Sequence, residues 1–472
     1  MASQDQRGAS NPRQNRRDMD LRDWLRRLDD TGRLAVAKPG AGLVFEIAGI
    51  ANRLDGQQAT LFPKPGGHDV SVISGLISDR AWMAESLGVA EDELVHAFQE
   101  AVANPIPSRL VENAPCQEVV HDNPDLTTLL PVPTHNEHDS GAYITAGLAI
   151  TRNPATGVQN VSIHRLQVSG PQELGALLLP RHTLAFFEPL EREGGSLDIA
   201  IVVGTSPATL LASQAIVPIN FDELEIAGAL GGAALEVAQC LDSDIHVPAA
   251  AEIVIEGKIM ANERAPEGPF GEFPQYYGAR ADRHVIKVSK VTHRKDPIYH
   301  TIVGGGLEHL LLGAIPREAT ILTTLQRSFS CVRNVHLSKG GTCRYHLVVQ
   351  VSKPNPGEVK NVIMGALGAH YDIKRVVVVD EDVDPFDPVK VEWALATRFQ
   401  AHSDLVVVHD AQGSKLDPST DNGVSSKTGF DATVPADAPE FKFTTIRVPG
   451  EAEIDLDATI DADAGLDDVI GG

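Results

Sequence analysis

The sequence predicts a multidomain protein that combines α/β and α+β architecture, and three patterns along the chain support this fold class. Apolar residues at helical spacing alternate with short strands up to about residue 102. Runs of strand type dominate from about 130 to 261, and strands alternate with helices again beyond Pro316. We therefore expect an N-terminal α/β domain at 19–120, a central β-rich domain at 121–310 and a C-terminal α/β domain at 311–450.

The first domain is predicted from two helices and two strands. Asp20 is suited to cap a helix, and an apolar stripe at helical spacing follows it: Leu21, Trp24, Leu25 and Leu28. Strands are expected at 59–62 and 70–73, and a second helix at 91–102. These elements are enough for a compact N-terminal domain that ends near the Pro- and Asn-rich stretch 104–124.

The central domain reads as strands with few helices. Strands are expected at 142–151, 158–168, 197–203 and 253–261, and helices at 207–214 and 222–230. This order favours a barrel or a sandwich over a doubly wound sheet. Neither a G-x-G-x-x-G motif nor a P-loop motif is present, so neither a dinucleotide fold nor a P-loop is indicated.

The third domain is predicted from a β-α-β-α alternation. Helices are expected at 318–329, 356–367 and 388–399, and strands at 345–351 and 375–379. Residues 425–429 read as a Gly/Ser-rich return loop. The two ends of the chain read differently, because residues 1–18 are polar and predicted to be disordered, and 451–472 form an acidic tail predicted to be extended or disordered.

Composition and charge argue against several classes of function. A net charge of -24 over 472 residues disfavours nucleic acid and anionic membranes as partners. No run of 18 apolar residues and no signal-peptide core are present, so a cytoplasmic protein is expected. The four cysteines form no Cys-x-x-Cys pair, which argues against a zinc ribbon or a thioredoxin-type redox site.

The most informative stretch is 265–272, where Glu267 and Glu272 are separated by Gly-Pro-Phe-Gly. Its prolines and glycines predict a fixed, irregular loop rather than a helix or a central strand. Two carboxyl groups on one rigid loop can be held in different environments, so that one keeps a proton and the other stays ionised. The alternative is a surface turn with two solvated glutamates.

A second group of polar residues falls in the central domain. Asn160, Ser162 and His164 share one face of a predicted strand, and His182 and Glu223 follow further along the chain. An amide oxygen, an imidazole and a carboxylate suit Mn²⁺ or Mg²⁺, with water or phosphate in the remaining positions. The spacing is not that of a zinc site. Taken singly, each residue also has an ordinary structural explanation.

These residues resemble those of the UbiD-type decarboxylases, which use prenylated FMN, and the resemblance covers about residues 20–435. It rests on several motifs in the right order: 160–165, 223–230, 247–257, 266–272 and 427–433. It implies an N-terminal α/β domain, a central split β-barrel that binds the flavin and a C-terminal α/β oligomerisation domain. The expected fold class is therefore a multidomain protein of the α+β / α/β type.

The resemblance also implies a role for each matching residue. Asn160, His182 and Glu223 match Mn²⁺ ligands, and Lys427 matches a basic residue that reaches the flavin phosphate. A nearby K⁺ site matches Ala212, Ser213 and Glu223. The flavin-lining positions are Asn160, Val161, Ser162, Ile163, His164, Arg165, Arg181 and His182. Arg165, Glu267 and Glu272 match the family's catalytic Glu-Arg-Glu network.

The implied reaction is a reversible, non-oxidative decarboxylation through a covalent prenylated-FMN adduct. Loss of CO₂ from an sp² carbon needs an electron sink that no side chain provides, so a cofactor is required. Glu272 is the expected proton donor, and Arg165 is expected to position the substrate carboxylate and to pair with Glu267. A flavin prenyltransferase is implied as cofactor supplier, and a homodimer or a higher homo-oligomer as the assembly.

The segment 304–318 is similar to the branch that acts on five-membered heteroaromatic acids, such as 2,5-furandicarboxylate and pyrrole-2-carboxylate. His309 and Arg317 match a His and an Arg that lie beside the substrate in the furan members. Arg317 follows Pro316 and is expected in the first turn of a helix, where it could bind a second substrate carboxylate. The alternatives are a packed histidine with a surface arginine at these positions, a 4-hydroxybenzoate-type or other aromatic or acrylic acid as substrate, or a flavin-binding or carboxylase-complex subunit without independent decarboxylase activity.

Overall fold

The computed structural model describes residues 19–439 and 441–460, and the chain divides into two compact units, Met1–Ala432 and Thr433–Gly472. The predicted N-terminal tail, 1–18, and the end of the predicted acidic tail, 461–472, lie outside the described residues. The beginning of that acidic tail is not extended throughout, because Glu451–Glu453 form a 3₁₀ turn and a short helix follows at Leu456–Thr459.

The helices of the described residues are numbered in chain order. They are α1 Leu21–Asp30, α2 Glu46–Leu54, α3 Arg80–Ser86, α4 Leu94–Ala103, α5 Leu126–Leu129, α6 His182–Arg192, α7 Pro207–Ala212, α8 Glu223–Gly231, α9 Leu307–Gln326, α10 Glu358–Ala369, α11 Pro388–Arg398, α12 Ala401–Asp404 and α13 Leu456–Thr459.

The strands up to the centre of the chain are mostly short. They are β1 Leu34–Val36, β2 Ala59–Phe62, β3 Ser71–Ser74, β4 Arg109–Leu110, β5 Val119–Asp122, β6 Tyr143–Ile144, β7 Leu148–Arg152, β8 Gln159–Ile163, β9 Leu166–Gly170, β10 Glu173–Ala176, β11 Leu197–Val203, β12 Glu236–Gln239 and β13 His246–Pro248.

Two long strands and the strands of the C-terminal sheet follow. They are β14 Ile253–Glu267, β15 Phe270–Gly271, β16 Tyr277–Gly278, β17 Ala281–His293, β18 Ile298–His300, β19 Val332–Leu337, β20 His346–Val351, β21 Arg375–Asp380, β22 Leu405–Gln412 and β23 Val424–Asp431.

A nine-stranded sheet forms the centre of the first unit. Its order is β6-β9-β10-β17-β14-β11-β7-β8, and β5 also pairs with β17. β8 lies at one edge and β9 lies next to the other edge, yet only His164 and Arg165 connect them. Because three peptide units span at most ~11 Å, the two edges must approach each other at this connection. The sheet is therefore curved into a half-barrel, and Arg165 lies at its seam.

Two smaller sheets flank this half-barrel in the sequence. The first has the order β1-β2-β3-β18, so the chain returns from β17 to complete the N-terminal sheet. The other, β19-β20-β21-β23-β22, contains two strands that the sequence did not predict, β19 and β22. The long helix α9 leads from the first of these sheets to the second.

Most predicted elements are present close to their expected bounds. The side chain of Asp20 accepts a hydrogen bond from the backbone N–H of Asp23 at 2.9 Å, so it caps α1 as expected. The predicted apolar stripe of α1 is buried, and the indole Nε1 of Trp24 donates to the carbonyl of Leu76 at 2.8 Å. The 3.6-residue period therefore identified the buried face of this helix correctly.

The prediction of an irregular loop over 265–272 is wrong in part. Residues up to Glu267 continue β14, and Phe270–Gly271 form β15. Pro266 is tolerated there because β11 pairs with β14 only as far as Ile259, so the last residues of β14 pair with β17 alone. A proline that donates no hydrogen bond fits such a sheet edge. Only Gly268 and Pro269 lie between the two strands.

Two predictions for the C-terminal part are also wrong. Helix α9 begins at Leu307 and continues through Pro316, so Arg317 lies in its third turn rather than its first. All seven residues from Leu310 to Pro316 are buried, so this part of α9 is packed on every side, and that burial outweighs the cost of an internal proline. Lys427, which is predicted in a return loop, lies in β23 and is paired with Val408 of β22.

A buried ion pair fixes α9 between α3 and β19. Glu318 accepts from Arg80 Nη1 at 2.7 Å, from His336 Nδ1 at 3.0 Å and from the backbone N–H of Leu337 at 2.7 Å. Both partners of the Arg80–Glu318 pair are almost fully buried. Although burial opposes it, the charge of Arg80 and the hydrogen bonds lower the pKa of Glu318.

We expect Glu318→Ala to lower the free energy of unfolding by ~3–5 kcal/mol, because it leaves the Arg80 guanidinium buried without its counter-charge. Urea unfolding followed by tryptophan fluorescence measures this. Lys258→Ala is the matched control, since its pair with Asp198 is exposed and should contribute ~1 kcal/mol or less. Equal losses in the two variants would show that the Glu318 network does not hold α9 in place.

Candidate active site

Arg165 joins the two glutamates of segment 265–272 in one buried ion-pair network. Its Nη2 donates to Glu267 Oε2 at 2.8 Å, and its Nη1 makes a short contact with Glu272 Oε1. The Glu267 side chain is fully buried, and 8% of the Arg165 side chain and 13% of the Glu272 side chain are exposed. The arginine therefore bridges the seam of the half-barrel to the ends of β14 and β15.

The surroundings of Glu272 favour its protonated form. Burial raises the pKa of Glu272, Arg165 opposes this shift, and the charge of Glu267 adds to it. A carboxyl group that keeps its proton above the usual Glu range can act as a general acid. The geometry therefore allows the role predicted for Glu272.

The turn that carries the two glutamates is held from the other side by segment 136–143. Asp139 Oδ1 accepts the backbone N–H of Gly271 at 2.8 Å, and the carbonyl of Pro269 accepts from Ser140 N at 3.0 Å. Gly268 has φ +88°, and a Cβ there would lie 3.1 Å from the carbonyl oxygen of Ala279. Only glycine meets both conditions without strain. The predicted rigidity thus comes from hydrogen bonds and close packing as well as from the prolines.

The predicted metal ligands converge beside β8. His182 Nδ1 lies 3.1 Å from Asn160 Oδ1, and Glu223 Oε2 accepts the backbone N–H of Val161 at 2.7 Å. Glu223 is buried at the start of α8, and no arginine or lysine pairs with it in the described part of the chain. Burial raises the pKa of Glu223 to about 8. A cation near this carboxylate would remove much of that cost.

This donor set fits a hard divalent cation. Two neighbouring ligands that each lie ~2.1 Å from an octahedral ion are ~3.0 Å apart, close to the Asn160–His182 separation. No group of three or more His, Cys, Asp or Glu side chains suited to a metal occurs among the described residues. The site predicted here has only two side chains of these types, His182 and Glu223, because its third ligand is the amide oxygen of Asn160.

The residues predicted for K⁺ lie at the end of α7. Ala212 is its last residue and Ser213 its C-cap, and both are buried. Helix α7 packs against α8, which begins with Glu223. Ser213 Oγ donates to the carbonyl of Leu210 at 2.7 Å. The side chain of Ser213 therefore binds a backbone carbonyl in the last turn of α7.

Lys427 and Arg181 meet at the turn after α10. Lys427 is buried, and its Nζ donates to the carbonyls of Tyr371 at 2.9 Å and Leu367 at 3.3 Å. Arg181 Nη2 donates to the hydroxyl of Tyr371 at 3.0 Å. Burial lowers the pKa of Lys427, and the charge of Asp372 opposes that shift. Two cations around one turn form a donor set suited to a phosphate.

His309 and Arg317 lie on α9. A third residue that the sequence did not single out, Arg344, lies before β20 and donates through Nη1 to the carbonyl of Leu310 in that helix at 3.0 Å. A Cβ at Gly313 would meet the guanidinium groups of both Arg344 and Arg317, so the two groups lie side by side. Burial lowers the pKa of Arg344 to about 9, and the neighbouring charge of Arg317 contributes. Burial, with the same two arginines, lowers the pKa of His309 to about 3, so this imidazole is neutral.

Phe273 connects this arginine pair to the glutamates. It follows Glu272 directly, and its ring lies 5.3 Å from the Arg344 guanidinium and 6.4 Å from the imidazole of His309. A Cβ at Gly304, just before α9, would lie 2.4 Å from the carbonyl oxygen of Gly271. The start of α9 and the Glu272 turn are therefore packed tightly together.

On the other side, β8 links the metal-ligand group to the network of Arg165. Ser162 Oγ lies 3.0 Å from His164 Nε2, and Asn160 Nδ2 donates to Thr183 Oγ1 at 3.2 Å. These contacts agree with the prediction that Asn160, Ser162 and His164 share a face. Asn160 and Arg165 are five residues apart, so their Cα atoms are separated by at most ~17 Å.

The structure thus brings the predicted residues into one region of the first unit. Sequence reasoning missed Tyr143, Asp139 and Arg344, which no motif marks. The sequence carries no signal for them, because Asp139 and Arg344 lie among other polar residues and Tyr143 falls within the predicted strand 142–151. Among the described residues, no helix combines the length and apolarity needed to cross a bilayer.

Three family models match consecutive parts of the chain. They describe the N-terminal, Rift-related and C-terminal domains of UbiD, 3-octaprenyl-4-hydroxybenzoate carboxy-lyase, and match residues 25–102, 109–307 and 310–432. Together they span most of the chain and include every predicted site residue except His309, which lies between the last two matches.

Individual relatives agree with these models. An anhydromevalonate phosphate decarboxylase of Methanothermobacter thermautotrophicus is 41% identical over 376 residues, which cover 79% of this chain and 88% of that protein. The UbiD-class enzyme HmfF from Pelotomaculum thermopropionicum in complex with FMN is 48% identical, with a TM-score of 0.92 over 93% of this chain and 100% of that one. An evolved dimeric form of HmfF with prFMN is 45% identical, with a TM-score of 0.88 over 94% and 100% of the two chains.

We expect the wild-type protein to bind one Mn²⁺ per chain, and Glu223→Ala to weaken that binding at least tenfold, because it removes the charged ligand. Equilibrium dialysis with Mn²⁺ detected by electron paramagnetic resonance measures both. Glu225→Ala changes a carboxylate on the same helix and should bind Mn²⁺ like wild type. Equal binding by the wild type and the Glu223 variant would exclude Glu223 as a ligand.

Proposed function

Because the chain belongs to the UbiD family of prenylated-FMN-dependent carboxy-lyases, we propose that it catalyses the reversible, non-oxidative decarboxylation of a small heteroaromatic acid that carries a second anionic group. The 2,5-furandicarboxylate type fits this description best. The observation that carries the proposal is the pair of adjacent guanidinium groups, Arg317 and Arg344, beside the Glu272 turn. A pyrrole-2-carboxylate type of substrate fits the heteroaromatic site but leaves this pair without an anion.

The charges around α9 support a dianionic substrate. Burial lowers the pKa of three basic groups, Arg317, Arg344 and Lys427, and the charge of Asp372 opposes this shift in each of them. One carboxylate therefore faces three basic side chains, and cations exceed anions in this region. The Nε of Arg317 is buried and has no hydrogen-bond partner among the described residues. Its Nη1 is held by the carbonyl of Gly313 at 2.6 Å, which orients the guanidinium. A carboxylate of the substrate would satisfy this donor.

The residues at the seam would bind the carboxylate that is lost. Arg165 Nε is buried and without a partner in the described residues, whereas its two Nη atoms are held by Glu267 and Glu272. The guanidinium is therefore fixed in orientation with one donor unpaired. We assign it the role of positioning the reacting carboxylate, and Glu272 the role of returning a proton to the carbon after CO₂ leaves.

The cofactor supplies the part of the chemistry that side chains cannot. When bound, prenylated FMN provides the electron sink that loss of CO₂ from an sp² carbon requires. The residues present fit its phosphate: Lys427 and Arg181 would supply cations, and Asn160, His182 and Glu223 would hold Mn²⁺. Ala212, Ser213 and Glu223 would hold K⁺ nearby. We further assign segment 160–165 to the lining of the flavin.

A second candidate is a phosphorylated acid, and the same observation favours it. Two adjacent guanidinium groups suit a phosphate as well as a carboxylate. Relatives named anhydromevalonate phosphate decarboxylase match 79–88% of this chain at 34–41% identity. A 4-hydroxybenzoate-type acid without a second anion is disfavoured by the buried arginine pair. A flavin-binding or carboxylase-complex subunit without its own activity is disfavoured by the complete Glu-Arg-Glu network.

The assembly is part of the proposal. The edge strand β22 presents exposed apolar side chains at Leu405, Val407 and Val408, which suit contact with a second copy of the chain. We propose that the C-terminal part, 311–450, mediates a homodimer or higher oligomer, and that a flavin prenyltransferase supplies the cofactor. Size-exclusion chromatography with light scattering tests the first statement, and a monomer at micromolar concentration would contradict it.

We expect holoenzyme, produced together with a flavin prenyltransferase, to release CO₂ from furan-2,5-dicarboxylate and to act much more slowly on furan-2-carboxylate, which lacks the second anion. CO₂ release from a panel of acids measures this. The panel also includes pyrrole-2-carboxylate, 4-hydroxybenzoate and anhydromevalonate phosphate. Preferred release from the phosphorylated acid would select the second candidate, and release from none of them would contradict the proposed function.

Arg317→Leu should lower kcat/KM for the dianionic substrate by ~10–100-fold, the loss expected for a charge-assisted hydrogen bond of ~1.5–3 kcal/mol. The same variant should change kcat/KM for furan-2-carboxylate by threefold at most. Steady-state kinetics on the two acids gives both ratios. An equal loss on both acids would show that Arg317 supports the fold and does not read the second anion.

A further inference from the structure

Tyr143 is a buried residue in direct contact with the glutamate network, and no motif or family match assigns it a role. It lies at the start of β6, and its hydroxyl donates to Glu267 Oε1 at 3.0 Å. The backbone N–H of Gly268 donates to the same hydroxyl at 3.1 Å, and Ser140 Oγ lies 2.9 Å away. The ring packs on Phe270, with centroids 4.5 Å apart.

The Tyr143 hydroxyl can donate only one hydrogen bond, and this limit decides which of its neighbours donate and which accept. A phenol has one proton to donate and two lone pairs that accept. Gly268 occupies one lone pair, and Ser140 can occupy the other as a donor. The single proton then has two possible acceptors, Glu267 Oε1 at 3.0 Å and Gln167 Oε1 at 3.2 Å. The carboxylate is the shorter and the charge-assisted choice.

Glu267 therefore accepts a hydrogen bond on each oxygen, from Tyr143 on Oε1 and from Arg165 on Oε2. These two hydrogen bonds favour the ionised carboxylate of Glu267. A proton on either of its oxygens would lie against the hydrogen that Tyr143 or Arg165 donates. Burial raises the pKa of the Tyr143 phenol, so it remains a donor at any working pH. Glu272 accepts from Arg165 through Oε1 alone among the described side chains.

We propose that Tyr143 is a positioning residue that determines which glutamate carries the proton, by holding Glu267 ionised so that the proton stays on Glu272. The inference deepens the proposed function and rests on it, because it concerns the acid that acts there. The titratable and charged groups that face the pair are Arg165 at the seam, and Tyr143 and Asp139 from segment 136–143.

Without the phenol proton, the two glutamates compete for one proton on more equal terms. Protonation of Glu267 would weaken its pair with Arg165 and release the guanidinium that positions the reacting carboxylate. The active arrangement would then be lost at a higher pH than in wild type. Tyr143→Phe should move the acidic limb of the kcat profile upward by about one to two pH units and lower kcat at the optimum ~10-fold, with KM changed threefold at most.

The first experiment needs neither substrate nor cofactor. Carboxyl carbons of ¹³C-labelled glutamate are titrated by NMR in the full-length protein, and the two signals are assigned with Glu267→Gln and Glu272→Gln. In wild type, the Glu272 signal should keep its protonated position to a higher pH than the Glu267 signal. In Tyr143→Phe, the two signals should titrate over one common range. Separate titration in the variant, in the wild-type order, would overturn the proposal.

The second experiment measures the kcat and KM profiles of holoenzyme on the preferred acid of the panel. Tyr277→Phe is the matched control, since its hydroxyl accepts from the backbone N–H of His138 and touches neither glutamate. The control should keep the wild-type profile. An unchanged acidic limb in Tyr143→Phe, or the same shift in both variants, would contradict the proposal.

A second variant keeps the test decisive if Tyr143→Phe fails to fold. Incorporation of 3,5-difluorotyrosine at position 143 retains the ring and strengthens the donor, so the acidic limb should move to lower pH. A shift to higher pH would contradict the proposal. Failure of every acid in the panel would remove the proposed substrate class, whereas the NMR titration would still decide the role of Tyr143.

Discussion

The two-sided ion pair of Arg165 with Glu267 and Glu272 is the interaction on which the rest of the site depends. It forms only because three separate parts of the chain meet, namely the β8–β9 connection, the end of β14 and the turn after β15. A guanidinium held by two carboxylates has a fixed orientation, and two carboxylates that share one cation cannot be equivalent unless their other neighbours are. The proposed division of roles between Glu272 as acid and Glu267 as ionised partner rests on the difference in those neighbours.

The surrounding fold serves to hold this network rigid. Curvature of the nine-stranded sheet brings its edges together at Arg165, and segment 136–143 fixes the turn that carries the glutamates. Helix α9 begins against Gly271 and is anchored further along by the buried Glu318 pair. The arginines that would read a second anion are therefore placed relative to Glu272 by packing and hydrogen bonds of the folded chain, before any ligand binds.

Sequence reasoning predicted the local features of this arrangement better than the long-range ones. The period of α1 and its Asp20 cap, the strand at 197–203 and the common face of Asn160, Ser162 and His164 follow from spacing alone. Pro266 and Pro316 misled it, because a sheet edge and a buried helix tolerate proline where tertiary contacts compensate. Arg344 and Tyr143 could not be predicted, since their importance arises from contacts with residues 27 and 124 positions away in the chain, Arg317 and Glu267.

Exchange of the product hydrogen tests the role of the Arg165 network most directly. The product acid is incubated with holoenzyme in D₂O, and NMR follows deuterium at the carbon that carried the lost carboxylate. We expect exchange by the wild type and loss of exchange, with product still bound, in Glu272→Gln. Exchange by Glu272→Gln at the wild-type rate would contradict the role of Glu272, because another group would then be delivering the proton.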